Sequence, residues 1–303
     1  MSAGRRGQGD RAPRAERGGA FGGFLTPRPA VDVGMPTMRS SFVRGLAVVA
    51  STPGVVIAIP VVLALVWLGA VAAGYQGPFV LLAHTFALPP VGTASDVSVA
   101  ARTFPGAAIV AVAVTIVFRA LVVAAVTGVA VRSLRDGRVD RWVWVPALRS
   151  LRAAVAVSLA SVSVLFLAQL IGAFLGGAAG FGLFLQIGAF VLGITAFTYA
   201  PVIAATEDRR LADALSRSWR AARIPGTGGL SLATLYVLPS LMVLLAAPAL
   251  PGGDLGVNPT VGAWIFVIVT NLIHVSVAAM YAYRYLSIAD HVPEPPAPAP
   301  RRR

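Results

Sequence analysis

Residues 200–223 read APVIAATEDRRLADALSRSWRAAR, and their chemistry changes halfway along. Up to Thr206 the chain is apolar enough to lie in lipid, whereas Glu207 to Arg223 carries five arginines and three carboxylates. A charged segment joined directly to an apolar run marks a boundary between hydrocarbon and water. The rest of the chain can be laid out from it.

Within that stretch Thr206 is placed to cap a helix, with Glu207 and Asp208 adding negative charge to its first turn. Leu211, Leu215, Trp219 and Ala222 recur at spacings of four, four and three, so they share one face. Arg209, Arg210, Asp213, Arg217, Arg220 and Arg223 fill the remainder, with Asp213 and Arg217 paired at i, i+4. The pattern predicts an interfacial arm, its apolar edge in the headgroup layer and its arginines toward phosphates and water. A plain cytoplasmic helical loop is the alternative.

Composition agrees with a bilayer. Of 303 residues 57% are hydrophobic and 12% charged, outside the globular range, and the mean hydropathy is +0.78. Six apolar spans are predicted at about 54–75, 106–131, 154–176, 181–205, 229–250 and 260–283, each near the roughly 20 residues that cross about 30 Å of hydrocarbon. GGAAG and PGGDLGVNP make tight links after spans three and five, which favours antiparallel hairpins. The longer link after span one contains FVLLAHTFAL, expected as a short helix on the outer surface. Pro201 and Pro239 are expected to kink spans four and five.

All 25 basic residues are arginine, which with the Ala, Val and Gly richness suggests a high-GC bacterial genome. Eight arginines precede span one, six lie in 132–152, five in 207–223 and four in the C-terminal segment, all on one side of this topology. Positive segments stay cytoplasmic, so both termini are expected inside a plasma membrane. Trp142, Trp144, Trp219, Tyr283 and Tyr285 then fall near the inner interface and Trp264 near the outer one. That placement assigns the net charge of +13 to membrane orientation and argues against nucleic acid as partner.

Residues 1–38, rich in Gly, Arg and Pro, are expected to be a disordered cytoplasmic tail, residues 39–286 the transmembrane domain and 287–303 a second Pro/Arg-rich tail. No apolar core precedes residue 45, so no cleavable signal peptide is expected, and Met35 and Met38 offer alternative starts. ALRSLRAA at 147–154 echoes ALSRSWRAA at 214–222, and SSFVRGLAVVASTPG at 40–54 has the same layout. The expected architecture is therefore all-α: six transmembrane helices as three antiparallel hairpins, each preceded by a cytoplasmic interfacial arm.

Pro201, Glu207, Ala214, Leu215, Arg217, Ser218 and Trp219 together resemble the signature of the six-helix membrane domain found with some bacterial glycerophosphodiester phosphodiesterases, and with related stand-alone membrane proteins. The layout resembles that family over about residues 40–285. IPGTGG stands where the family often carries an aromatic pair. The resemblance implies a six-helix membrane domain. The phosphodiesterase catalytic domain has no counterpart here, so its activity is not implied.

Polar groups at membrane depth are where function would be written. Arg119 lies near the middle of span two, too deep to snorkel easily. No Asp or Glu falls within a span, so its expected partners are Gln169, Gln186, Asn271, backbone carbonyls, or a bound lipid phosphate or other anion. Tying helices together is the plainer role for it. Asn271 and His274 share a helix face as an interhelical hydrogen-bonding pair or a ligand site. Gln169 and Gln186 are expected to pair across the hairpin of spans three and four, with Gly172, Gly176 and Gly180 allowing close approach.

Zero cysteines, three scattered histidines (His84, His274 and His291) and the absence of GxSxG, HExxH or paired carboxylates leave no catalytic or metal-binding set. The expectation is a non-enzymatic accessory or scaffold without cofactor, contacting anionic lipid, a protein partner or a second copy of itself. The rival is a small transporter or lipid-handling protein with an anion-holding cavity around Arg119.

Overall fold

The computed structural model describes residues 35–174, 179–207, 209–224, 228–246 and 259–294. Among them every regular element is a helix. α1 (Met38–Ala50) starts where the Thr37 hydroxyl accepts from Ser40 N–H, and α2 (Pro53–Ala72) begins with a proline in its first turn. A 3-10 helix (Phe79–His84) and α3 (Val91–Thr103) follow, then α4 (Ala108–Asp136), stopped by Gly137 at φ 68°. α5 (Trp144–Phe174), α6 (Ala179–Phe197), α7 (Ala200–Glu207), α8 (Leu211–Ala222), α9 (Gly229–Ala246) and α10 (Val261–Ile288) complete the order.

Five segments are long and apolar enough to cross a bilayer: Pro53–Ala72, Ala108–Asp136, Arg141–Phe174, Gly182–Glu207 and Val261–His291. The helix Gly229–Leu245 is apolar but shorter. Leu65, Val117, Leu159 and Met242 stand exposed on the outward faces of these helices, which suits hydrocarbon and not water. The chain has the make-up of a multi-pass membrane protein.

Packing does not follow chain order throughout. α4 packs on α5, and α5 on α6 and α7, but α2 leans on α10 and α1, while α9 leans on α6. The pairing therefore differs from three self-contained hairpins. α1 lies tightly on α10 because Gly45 has no side chain; a Cβ there would stand 2.2 Å from Ser276 O. The 3-10 helix and α3 fill the space between α4 and α10.

Several expectations are corrected. FVLLAHTFAL is no surface helix, since all six residues of the 3-10 helix are buried. The stretch 147–154 is not a separate arm but part of the continuous helix α5. α1 and α8, by contrast, are separate helices ahead of α2 and α9. Span four breaks at Thr198 and Tyr199, where Pro201 has no N–H to continue the ladder. Thr206 belongs to α7 and donates to Val202 O, so α8 starts only at Leu211 without a side-chain cap. Within the segment 287–294 a 3-10 turn (Ala289–His291) carries the chain back toward α8. Residues 1–34 of the expected disordered tail 1–38, together with Asp208, Gly176 and most of the PGGDLGVNP link, lie outside the described residues.

Candidate functional site

Non-helical backbone at membrane depth needs a partner for every N–H and C=O. The segment Leu82–Leu88, which runs from the end of the 3-10 helix to a cis Pro89–Pro90 bond, closes some of these locally, as Ala87 N–H does on His84 O at 3.0 Å, and obtains others from three helices. From α10, Asn271 accepts from Phe86 N–H at 2.8 Å and donates to Leu82 O at 2.8 Å. From α9, the Tyr236 hydroxyl accepts from Leu88 N–H at 2.9 Å. From α4, Arg119 donates to Thr85 O at 3.0 Å, Ala87 O at 2.8 Å and His84 O at 3.2 Å.

Arg119 also meets a carboxylate. Its Nε and one Nη both reach Asp96 Oδ2 at 2.7 Å, Asp96 being carried by α3. With Asp96 and the three carbonyls, all five guanidinium donors are taken by protein, and the side chain is fully buried. The expectation that no carboxylate would reach Arg119 is corrected: none lies in a span, but α3 brings one in from the connection. Gly92 makes this possible, since a Cβ there would lie 2.3 Å from an Arg119 Nη.

Asn271 and His274 are both buried, as their positions suggested, but they serve different partners. His274 Nδ1 stands 2.8 Å from the Tyr236 hydroxyl. His84 Nε2 lies 3.0 Å from Ser240 O. A carbonyl can only accept, so His84 carries its proton on Nε2. The two imidazoles lie 5.4 Å apart, centroid to centroid. His84 and His274 line one end of a groove of about 740 Å³ between α9 and α10, whose other end is walled by Met38, Arg39 and Phe42 of α1. Gln169 is exposed on α5 and Gln186 half-buried on α6; no hydrogen bond joins them. Close approach in that hairpin falls instead at Gly172, where a Cβ would lie 3.4 Å from Gly182 Cα.

The arm residues form a second constellation. Arg217 is buried, and its Nε lies 2.8 Å from Glu207 Oε2 and 3.0 Å from the Tyr285 hydroxyl. Its Nη atoms donate to Ala289 O at 2.7 Å, Val292 O at 3.2 Å and Glu294 Oε1 at 3.0 Å. Tyr285 also donates to Glu207. Arg209 bridges Glu207 at 2.6 Å and Glu294 at 2.8 Å, and its guanidinium beside Glu294 holds that carboxyl below its ordinary pKa of 4.5. The expected Asp213–Arg217 pair is therefore not made, and Arg217 does not face lipid phosphate. Asp213, Leu211 and Trp219 are exposed along the outer side of α8, while Ala214, Ser218 and Ala221 face the protein.

Asp96, Tyr236 and His84 were not singled out from sequence as site residues. Asp96 had one visible mark, being the only acid in the connection 74–107. No family model, no curated protein and no solved structure matches the chain.

Proposed function

We propose that this chain is a non-enzymatic, multi-pass protein of a bacterial plasma membrane that holds an anionic lipid. The observation that carries this reading is the groove between α9 and α10. Its volume of about 740 Å³ falls within the roughly 300–1,000 Å³ of ligand pockets. Leu235, Val243, Ile273 and Val277 offer acyl chains an apolar bed, and Arg39 stands exposed at the α1 end for a headgroup. Leu235 and Ile273 are themselves 60% and 47% exposed, so the groove opens sideways where lipid would be.

The reading keeps lipid handling but moves the anion. Arg119 has no donor left for a phosphate, whereas Arg39 has no ion-pair partner among the described residues. The topology proposed with it has six spans, counting α9, and cytoplasmic termini. At 1.5 Å per residue, the 18 residues of α9 reach about 27 Å, close to the hydrocarbon thickness. Exposed Leu211 and Trp219 suit an arm lying in the headgroup layer. The resemblance to the phosphodiesterase-linked membrane domain is compatible with this role and adds no activity.

Native mass spectrometry of the intact chain, released from mild detergent, tests it. One anionic phospholipid should remain bound, and Arg39→Glu should reduce its occupancy at least tenfold, with Arg102→Glu as a charge-matched control. Absence of bound lipid, or equal loss in both variants, rejects the reading.

A further inference from the structure

A second cavity, of about 290 Å³, lies beside the C-terminal half of α2, between it, α3 and the N-terminal half of α4. Most of its wall is apolar, including Val66, Val99, Phe104 and Phe118, and most of its polar side-chain atoms are acceptors. Ser95 has given its hydroxyl proton to Leu81 O at 2.6 Å, Thr85 to Leu82 O at 2.8 Å and Thr103 to Val99 O at 2.9 Å. A hydroxyl whose proton is spent presents only oxygen lone pairs. Asp96 binds Arg119 through Oδ2 alone, which leaves Oδ1 as a further acceptor. Thr115 is 1% exposed and its hydroxyl has no partner. No arginine or histidine lines the cavity among the described residues.

Such a wall suits a ligand that donates hydrogen bonds. We infer that this cavity binds an organic primary ammonium ion with a short apolar body, its N–H donors shared between Asp96 Oδ1, Thr115 and the spent hydroxyl oxygens. Buried hydrogen bonds of this kind are charge-assisted and stronger than neutral ones. The predominantly apolar wall selects an organic cation over a bare metal ion, which would need oxygen on all sides. Gly69, Ala73 and Val114 are exposed at its edge, giving an entry at the end of the bundle where α2 and α4 are connected.

The test uses the full chain in neutral-lipid nanodiscs and follows the thermal unfolding midpoint by tryptophan fluorescence. Hexylammonium chloride should raise the midpoint saturably; hexyltrimethylammonium, which has no N–H, 1-hexanol and hexanoate should each do so at least tenfold more weakly. Thr115→Val, nearly isosteric, should raise the hexylammonium dissociation constant about tenfold, and Val99→Trp, which fills the cavity, should abolish the effect. Asp96→Asn is avoided because it also disturbs Arg119. Equal stabilisation by 1-hexanol or hexanoate, an unchanged dissociation constant in Val99→Trp, or a saturable effect reproduced by sodium but not choline would overturn the inference.

Discussion

Arg119 shows how one side chain at depth organises what surrounds it. Its charge is neutralised by Asp96, and its remaining donors reach Thr85 O and Ala87 O, which have no local donor, and add a second bond to His84 O, which Ala87 N–H already fills. Arg119→Leu removes one partner of a buried pair and leaves Thr85 O and Ala87 O without a donor, so a loss of about 3–5 kcal/mol is expected. The double variant Arg119→Leu/Asp96→Leu should recover part of that loss, since no uncompensated carboxylate remains. Reversible unfolding in mixed micelles, read as a double-mutant cycle, measures the coupling; additive losses would mean the pair does not interact. The sequence marked Arg119 as a deep cation in need of partners; carbonyls are among those it meets, whereas Gln169, Gln186 and Asn271 are not. It hid Asp96, because a lone acid among Ser, Thr, Ala and Val in a connection looks like an outer loop. It also hid Arg217, whose i, i+4 neighbour Asp213 looked like a sufficient local partner until α10 brought Tyr285 and the 289–294 turn against it.

At the level of elements, periodicity gave the long apolar helices and missed the interruptions. The break before α7 follows from a missing proline donor, which does not alter an apolar average. The clasp joining α8 to the end of α10 gives a pH prediction. Glu294 has its pKa lowered chiefly by the hydrogen bond from Arg209, so the clasp contributes fully above the ordinary carboxyl value of 4.5 and is lost as pH falls through the lower folded value. Hydrogen exchange of backbone amides 289–294 should therefore rise on acidification below about pH 4.5, and Glu294→Gln should show that faster exchange already at pH 7. Exchange independent of pH between 7 and 3, after correction for intrinsic chemistry, would mean that Glu294 holds nothing. High salt should imitate the acid effect in part, since Glu294 is 60% exposed.

For the whole molecule, arginine distribution predicts orientation more directly than any packing detail. Reporter fusions at Gly106, in the exposed turn before α4, should read outside, and those at Gly137 and after Arg303 inside. A cytoplasmic signal at Gly106 would overturn the topology. The helix order could be laid out from the sequence because crossing a bilayer demands long apolar runs. The way helices meet could not, since close packing depends on small residues such as Gly45 and Gly128, and the chain has many glycines that serve no such purpose. The buried connection that follows the 3-10 helix was illegible for a related reason: several of its partners are far away in the chain. Phe86 waits for Asn271 across 185 residues, and Leu88 for Tyr236 across 148. At a synthesis rate of roughly 5–20 residues per second, that is about ten to forty seconds. During biosynthesis the connection after α2 therefore emerges before the groups that complete it, and it becomes a settled part of the bundle only when the last helix arrives. A nascent chain that stops short of α10 would display unsatisfied backbone to the insertion and proteolysis machinery, so the final span acts as a seal on a segment made much earlier.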